Sequence, residues 1–332
     1  MSLTLSREDI VRLCERVEGA QTRAYAIPKL TDEYPAMTIA DGYAVQAELR
    51  RRYIAQGHKL VGWKAGLTSK AKMLQMGVDV PSIGFLTDRM ARPENSVVGT
   101  ADLVHPRVEA EVAFVTKAVL RGPNCTREQV LAATDYVLPA IEIIDSRFSG
   151  FKFDLPSVIA DNGSSARFVG GGRARYADDL DLRTLGVVLE KNGEMVAMGA
   201  SAAVLGHPAE AIAMLVNILA EQGESVPAGS FVMSGGITEA IAVKPGDNVI
   251  ARFQELGSVS VRVSGGHSLS AAPCWFWRAV QRRLTCRPST PSAPDRYTAT
   301  TSCSRWSRTE GWWWVRARRV PWSYRATRAR IG

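Results

Sequence analysis

Three carboxylates set into apolar, strand-like runs carry the first chemical signal of this chain. Glu109 and Glu111 stand in Val108-Glu-Ala-Glu-Val-Ala-Phe114, and Glu142 in Ala140-Ile-Glu-Ile-Ile-Asp145. A carboxylate is seldom buried unless it is paired or bound to a metal, so three in core-like strands require a partner. Strand side chains alternate between faces, which puts Glu109 and Glu111 on one face and Val108, Ala110, Val112 and Phe114 on the other. Two unpaired carboxylates that close would repel, and one would take up a proton. With Glu142 they form instead an oxygen donor set for a hard cation. Mg²⁺ or Mn²⁺ suits it, because such ions accept a few carboxylates, keep waters and leave positions for a chelating substrate. No Cys or His cluster at zinc spacing competes. The alternative for an isolated Glu-x-Glu is a solvated edge strand, and the second acidic strand weighs against it.

Other segments are punctuated as though they approach a ligand. Val61-Gly-Trp-Lys64-Ala-Gly-Leu67-Thr-Ser69 places a lysine inside an apolar strand just before a glycine turn. A half-buried lysine is costly unless it meets an anion, so Lys64 is a candidate partner for a substrate carboxylate or enolate oxygen. The alternative is a side chain that extends its ammonium to the rim. Ala160-Asp161-Asn-Gly-Ser164-Ser165 and Ser234-Gly235-Gly-Ile-Thr238 offer hydroxyls and backbone N–H groups to an anion, or are ordinary turns. Gly170–Gly172 and His207-Pro208 read as structural, and His105 as a packed loop residue. The four histidines offer no Ser-His-Asp set.

These residues need a scaffold. Ser6-Arg-Glu-Asp9 starts a helix with Ile10, Leu13 and Val17 on one side, and a second helix runs from Thr38 to Gln56 with Ile39, Tyr43, Ala47 and Leu49 available for packing. The two form an N-terminal helical cap over residues 1–57. A strand from His58 to Gly66, a short helix from Ser69 to Met76 and a strand from Gly84 to Thr87 follow. Next come a strand from Val108 to Lys117, a helix from Thr126 to Ala133 and a strand from Val137 to Asp145. Asn192-Gly193 marks a type I′ hairpin, and Pro208 opens a helix whose Ile212, Leu215, Val216 and Leu219 share one face before Gly223. Strands Ser230–Met233, Asn248–Gln254 and Ser258–Val263 close a catalytic, metal-binding β-rich domain over 58–263. Many short strands with few helices between them imply an α+β fold with a mixed, rolled or barrel-like β-sheet, not a doubly wound one.

A chain of 332 residues can bury a large core, and an apolar fraction of 46% is ordinary for a globular protein. No apolar run reaches the roughly 18 residues that span a bilayer, and the N-terminus does not read as a signal peptide, so a cytoplasmic location is expected. The net charge of +8 is uneven. Ser264–Gly332 holds thirteen Arg, no Lys, one Asp and one Glu; its +11 leaves residues 1–263 at −3. It also holds seven of the eight Trp and Cys274, Cys286 and Cys303, leaving Cys14 and Cys125, which suits a reducing compartment. With neither helical nor strand period, 264–332 reads as an aberrant tail, the product of a GC-rich gene translated out of frame. An Arg/Trp arm for nucleic acid or an anionic membrane is the alternative; the acidic body argues against it, and no nucleic acid or membrane partner is expected.

Taken together, Lys64-Ala-Gly-Leu-Thr-Ser69, Glu109-Ala-Glu111, Glu142-Ile-Ile-Asp-Ser-Arg147, Ala160-Asp-Asn162 and Ser234-Gly-Gly-Ile-Thr238 resemble the hydratase/decarboxylase branch of the fumarylacetoacetate hydrolase superfamily, from about residue 5 to Val263. The resemblance implies a sheet of the family's C-terminal type. Glu109, Glu111 and Glu142 would bind Mg²⁺, or Mn²⁺, with Lys64 and Asp161 catalytic and Leu67, Ser82, Ser164, Gly235 and Thr238 against the substrate. It further implies self-assembly and association with a pathway hydratase in the meta-cleavage of aromatic compounds. Two activities share this scaffold: hydration of 2-oxopent-4-enoate, and decarboxylation of 2-oxo-3-hexenedioate (4-oxalocrotonate). The hydratase-like pattern has an acid in a Pro-Asp-x-Gly turn where this chain has Pro81-Ser82-Ile-Gly84. Hydration needs an acid/base to deliver water and protons, whereas decarboxylation needs mainly an electron sink, so the decarboxylase is the expected activity.

Overall fold

The computed structural model describes residues 3–69, 73 and 81–267, all within one compact unit, Met1–Arg287. Expectations for residues 268–332, and for most of the short helix at Ser69–Met76, lie outside the described residues.

The N-terminal helices begin where side chains supply acceptors to the unpaired N–H groups of a first turn. Ser6 accepts from the Asp9 N–H and opens α1 (Arg7–Thr22); Thr38 and Asp41 form a reciprocal capping box at the start of α2 (Ile39–Ala55). The first buries Ile10, Leu13, Cys14 and Val17, the second Val45, Leu49 and Tyr53. Each of the fully buried apolar side chains among them contributes about 1.5–3 kcal/mol. Ala47, expected to pack, is exposed, because Val45, Leu49 and Tyr53 define the inward face one turn apart and Ala47 lies across the helix from them.

Then follow β1 (Leu60–Gly66), β2 (Ser82–Thr87), β3 (Ala91–Arg92), β4 (Val97–Gly99), β5 (Pro106–Thr116), α3 (Arg127–Ala133), β6 (Thr134–Asp145), α4 (Leu155–Ala160), β7 (Ser165–Gly170), β8 (Gly186–Lys191), β9 (Glu194–Ala200), α5 (Pro208–Glu221), β10 (Phe231–Met233), β11 (Ile241–Ala242), β12 (Asn248–Phe253) and β13 (Gly257–Ser264). The larger sheet runs β2-β1-β10-β5-β6-β7-β3, with β11 also on β5; the smaller runs β4-β13-β12-β8-β9. β1 pairs with β10, and β3 with β7, in parallel; the other neighbours in the larger sheet are antiparallel. This α+β fold is a mixed sheet curled into a half-barrel with helices. Residues of α1 and α2 share one hydrophobic core with both sheets. A satellite cluster of Leu155, Val158 and Ile159 takes in Ile39, Tyr43, Leu67 and Phe153.

The hairpin at Asn192-Gly193 is present, joining β8 to β9 with both residues at positive φ. His207 is structural, its Nδ1 accepting the Ala209 N–H at 3.0 Å to cap α5. By length and composition Ser201–Glu221 is apolar enough to cross a membrane, which the sequence reading did not register, but its Ala209, Ile212, Leu215, Val216 and Leu219 are core residues here. β13 extends one residue past Val263: Ser264 lies opposite Gly99 of β4 and accepts the Thr100 N–H at 2.9 Å.

Candidate active site

β5 lies inside the larger sheet between β10 and β6, so the edge-strand alternative for Glu109 and Glu111 is excluded. Antiparallel register sets Glu109 directly opposite Glu142, with Glu111 two residues along on the same face. One oxygen of each lies within 4.8 Å of the others, and all three side chains are buried. Glu111 is held by the Gly235 N–H, which donates to its Oε2 at 2.7 Å. Gly235 has φ 103°, and a Cβ there would sit 2.0 Å from Thr68 Oγ1, so this approach requires glycine. Burial, followed by the charges of Glu142 and Glu109, pushes the Glu111 carboxyl well above the usual carboxylate range, against the opposing pull of Lys64 and the Gly235 N–H. Among the described residues Glu111 Oε1 and Glu142 Oε1 accept no hydrogen bond, although Glu142 Oε1 is ion-paired with Lys64. Buried carboxylate oxygens converging from three residues fit a hard divalent cation.

Lys64 comes from β1 and is buried, so it does not extend to the rim. Its Nζ stands 3.3 Å from both Glu142 oxygens and donates to Gly163 O at 2.7 Å. Gly163 belongs to a turn in which Asn162, Gly163 and Ser164 are all left-handed, with φ 53°, 59° and 58°. Such backbone costs about 1–2 kcal/mol for each non-glycine residue, so something must hold it. The Asn162 side chain exchanges two hydrogen bonds with the Phe85 backbone of β2, its Oδ1 accepting the Phe85 N–H at 2.8 Å and its Nδ2 donating to Phe85 O at 3.0 Å. Arg147, wholly buried just past β6, donates from Nε to the Asp161 carboxylate and from its other nitrogens to Asp161 O and Asp145 O. The turn beside Lys64 is thereby tied to the strand that carries Glu142.

Of the remaining residues singled out in the sequence, the structure brings some to the site and engages others elsewhere. Asp161 is fully buried against Arg147 and also accepts from the Ser164 hydroxyl at 3.2 Å; burial, offset by Arg147, pushes its carboxyl up to about 6. Ser82 is buried opposite Gly66 of β1, and Leu67, at φ 56°, packs on the satellite cluster with Phe153. Thr238 Oγ1 accepts the Ala110 N–H of β5 at 3.3 Å. His105 Nδ1 lies 2.9 Å from Ser146 O, as a loop residue. The sequence reading gave no role to Arg147 or Asn162. The available signal was an arginine and an asparagine inside otherwise apolar or glycine-turn segments, where a charged or amide group must find buried partners.

Residues 59–264 match the family described as "Fumarylacetoacetate (FAA) hydrolase C-terminal". The chain is 59% identical over 262 residues to 4-oxalocrotonate decarboxylase of Pseudomonas sp. (strain CF600), covering 79% of this chain and 99% of that one. It is 38% identical over 253 residues to 2-hydroxyhexa-2,4-dienoate hydratase of Comamonas testosteroni, covering 76% of this chain and 94% of that one. A solved structure of 4-oxalocrotonate decarboxylase from Pseudomonas putida G7, complexed with magnesium and adipate, superposes with a TM-score of 0.77 at 55% identity, over 79% of this chain and 100% of that one. With its half-barrel and buried glutamate cluster, the chain belongs to the fumarylacetoacetate hydrolase family.

Proposed function

We propose that this chain is a Mg²⁺-dependent carboxy-lyase that converts 4-oxalocrotonate to 2-hydroxypenta-2,4-dienoate and CO₂ in the degradation of aromatic compounds. The observation that carries the reading is the buried Glu109, Glu111 and Glu142 cluster beside Lys64, in a chain 59% identical to a 4-oxalocrotonate decarboxylase. The three glutamates would hold the cation, which when bound supplies Lewis acidity to the 2-oxo carboxylate end of the substrate.

The chain's own residues supply the rest. As the C5–C6 bond breaks, its electron pair forms C4=C5, the 3-ene shifts to C2=C3, and negative charge reaches the C2 oxygen; a proton there completes the dienol. Lys64 directs positive charge toward that oxygen from a buried position where screening is weak. Gly163 O and Glu142 fix its ammonium from two sides. Ser82 places a hydroxyl where the hydratase-like pattern has an acid, leaving no carboxylate at that point to deliver water. Association with the hydratase that consumes the dienol, self-association and a cytoplasmic location belong to the same reading; co-elution of the two purified enzymes checks the first.

Supplying 2-oxo-3-hexenedioate with Mg²⁺ and following CO₂ and the dienol tests the activity. Both products should appear together and vanish in EDTA. A water adduct without CO₂ would overturn the choice in favour of hydration.

A further inference from the structure

We infer that Arg107 binds the distal carboxylate of the dicarboxylic substrate, and that this contact selects a dicarboxylate over a monocarboxylate. The inference rests on the 2-oxo dicarboxylate reading above and adds a residue to it. Arg107 lies on β5 two residues before Glu109, so it occupies the next position on the same face of the sheet. Register agrees: Arg107 stands opposite Ile144 of β6, as Glu109 stands opposite Glu142. Two strand residues span roughly 7 Å. Five carbon–carbon bonds of about 1.5 Å zigzag to roughly 6 Å, so a six-carbon acid whose first carboxylate lies at the glutamates reaches Arg107 with its second.

The guanidinium is available for this. Among the described residues the Arg107 guanidinium makes no hydrogen bond or ion pair, its backbone being paired in the sheet with Ile144 and Ala242; its Cζ lies 4.2 Å from the centre of the Phe151 ring. That stacking orients the planar fork while leaving its N–H donors free, the form in which arginine takes a carboxylate. Phe151 is held in the left-handed region at φ 60°, next to Gly150, and its ring also meets His105 at 6.4 Å and Phe153 at 5.7 Å. Phe153 in turn packs on the Leu155, Val158 and Ile159 cluster, as does Leu67, three residues after Lys64. Phe151, Phe153 and that cluster therefore connect Arg107 to the loop after Lys64. Strained backbone that presents a side chain is a recurrent feature of ligand clamps. Both Arg107 and Phe151 are half-buried, so a bound carboxylate there keeps part of its hydration. That moderates ground-state stabilisation of the group that must leave as CO₂.

The test compares two saturated acids that cannot decarboxylate through a 3-ene and differ only at the far end, 2-oxohexanedioate and 2-oxohexanoate. Their affinities for the Mg²⁺-loaded full chain are measured by calorimetry. Wild type should prefer the dioate by about tenfold or more. Arg107→Met should remove the preference while leaving 2-oxohexanoate affinity unchanged, and Arg107→Lys should keep part of it. In turnover, Arg107→Met should raise KM about tenfold with kcat within about twofold. Retained preference in Arg107→Met, equal loss for both acids, or a fall in kcat at constant KM would each overturn the assignment. Failure of wild type to release CO₂, with the preference still switching at Arg107, would sink the proposed activity and leave this contact standing.

Discussion

Glu111 accepts one backbone N–H and, among the described residues, leaves its other oxygen without a donor, where Glu109 and Glu142 add like charge. Its carboxyl is pushed up by burial and by those charges, so a cation competes with a proton for it. Mg²⁺ affinity should therefore fall as pH falls through the raised range and rise toward alkaline pH; calorimetry between pH 6 and 8.5, about, reads the slope. Glu111→Gln should flatten that slope and weaken Mg²⁺ by about 100-fold or more. Lys64→Ala should lower kcat by about 100-fold while leaving Mg²⁺ affinity within a few-fold, because a cation is lost and no glutamate of the cluster is. Equal loss of both would show Lys64 to be a structural counter-ion only. The glutamates and Lys64 were legible in the sequence because a charge in an apolar strand needs a partner wherever the strand lies. The partner of Asp161 was not: its local context reads as a ligand-facing turn, and its carboxylate is engaged by Arg147, fourteen residues earlier.

Two elements translate folding into the site. The left-handed turn at Asn162–Ser164 is held on β2 by the Asn162 amide and delivers Gly163 O to Lys64. Asn162→Ala should leave the Phe85 N–H and C=O without partners and the strained backbone without its brace. We expect a stability loss of about 2–4 kcal/mol in urea unfolding and a tenfold fall in kcat at unchanged Mg²⁺ affinity. In the cap, buried Asp41 accepts backbone N–H groups of Thr4, Leu5 and Thr38 and the hydroxyls of Thr4 and Thr38. Burial alone would raise its carboxyl, but these bonds outweigh burial and hold it well below the usual range. A depressed acid stabilises the fold above its unfolded pKa and loses that contribution as pH falls. Urea midpoints should thus drop as pH falls below about 4, and Asp41→Asn should lower stability by about 2 kcal/mol at pH 7 while weakening that acid dependence. The caps and the Asn192-Gly193 hairpin were legible because their partners lie within three residues. β7 and α4 were not, because a six-residue strand and a two-turn helix beside polar turns take their identity from the surface they pack on.

On the scale of the molecule, the family match ends at residue 264, where β13 completes its pairing with β4. The sequence beyond it is rich in Arg and Trp, and we propose that it is out-of-frame sequence. A chain ending at His267 should keep wild-type kcat and a melting temperature within about 2 °C. Loss of activity or solubility would count against that reading. What the sequence by itself determined is local and chemical: cap and turn residues, strand periodicity, the requirement for a cation at three buried glutamates, and the family motifs, since each depends on neighbours close along the chain or on the cost of burying charge. Tertiary structure alone decided which strands are neighbours, that Glu109 faces Glu142, that Arg147 engages Asp161, and that Arg107 lies over Phe151. Those pairings join residues 14 to 44 apart, and the strand order and register that bring them into contact are set by burying all the strands at once.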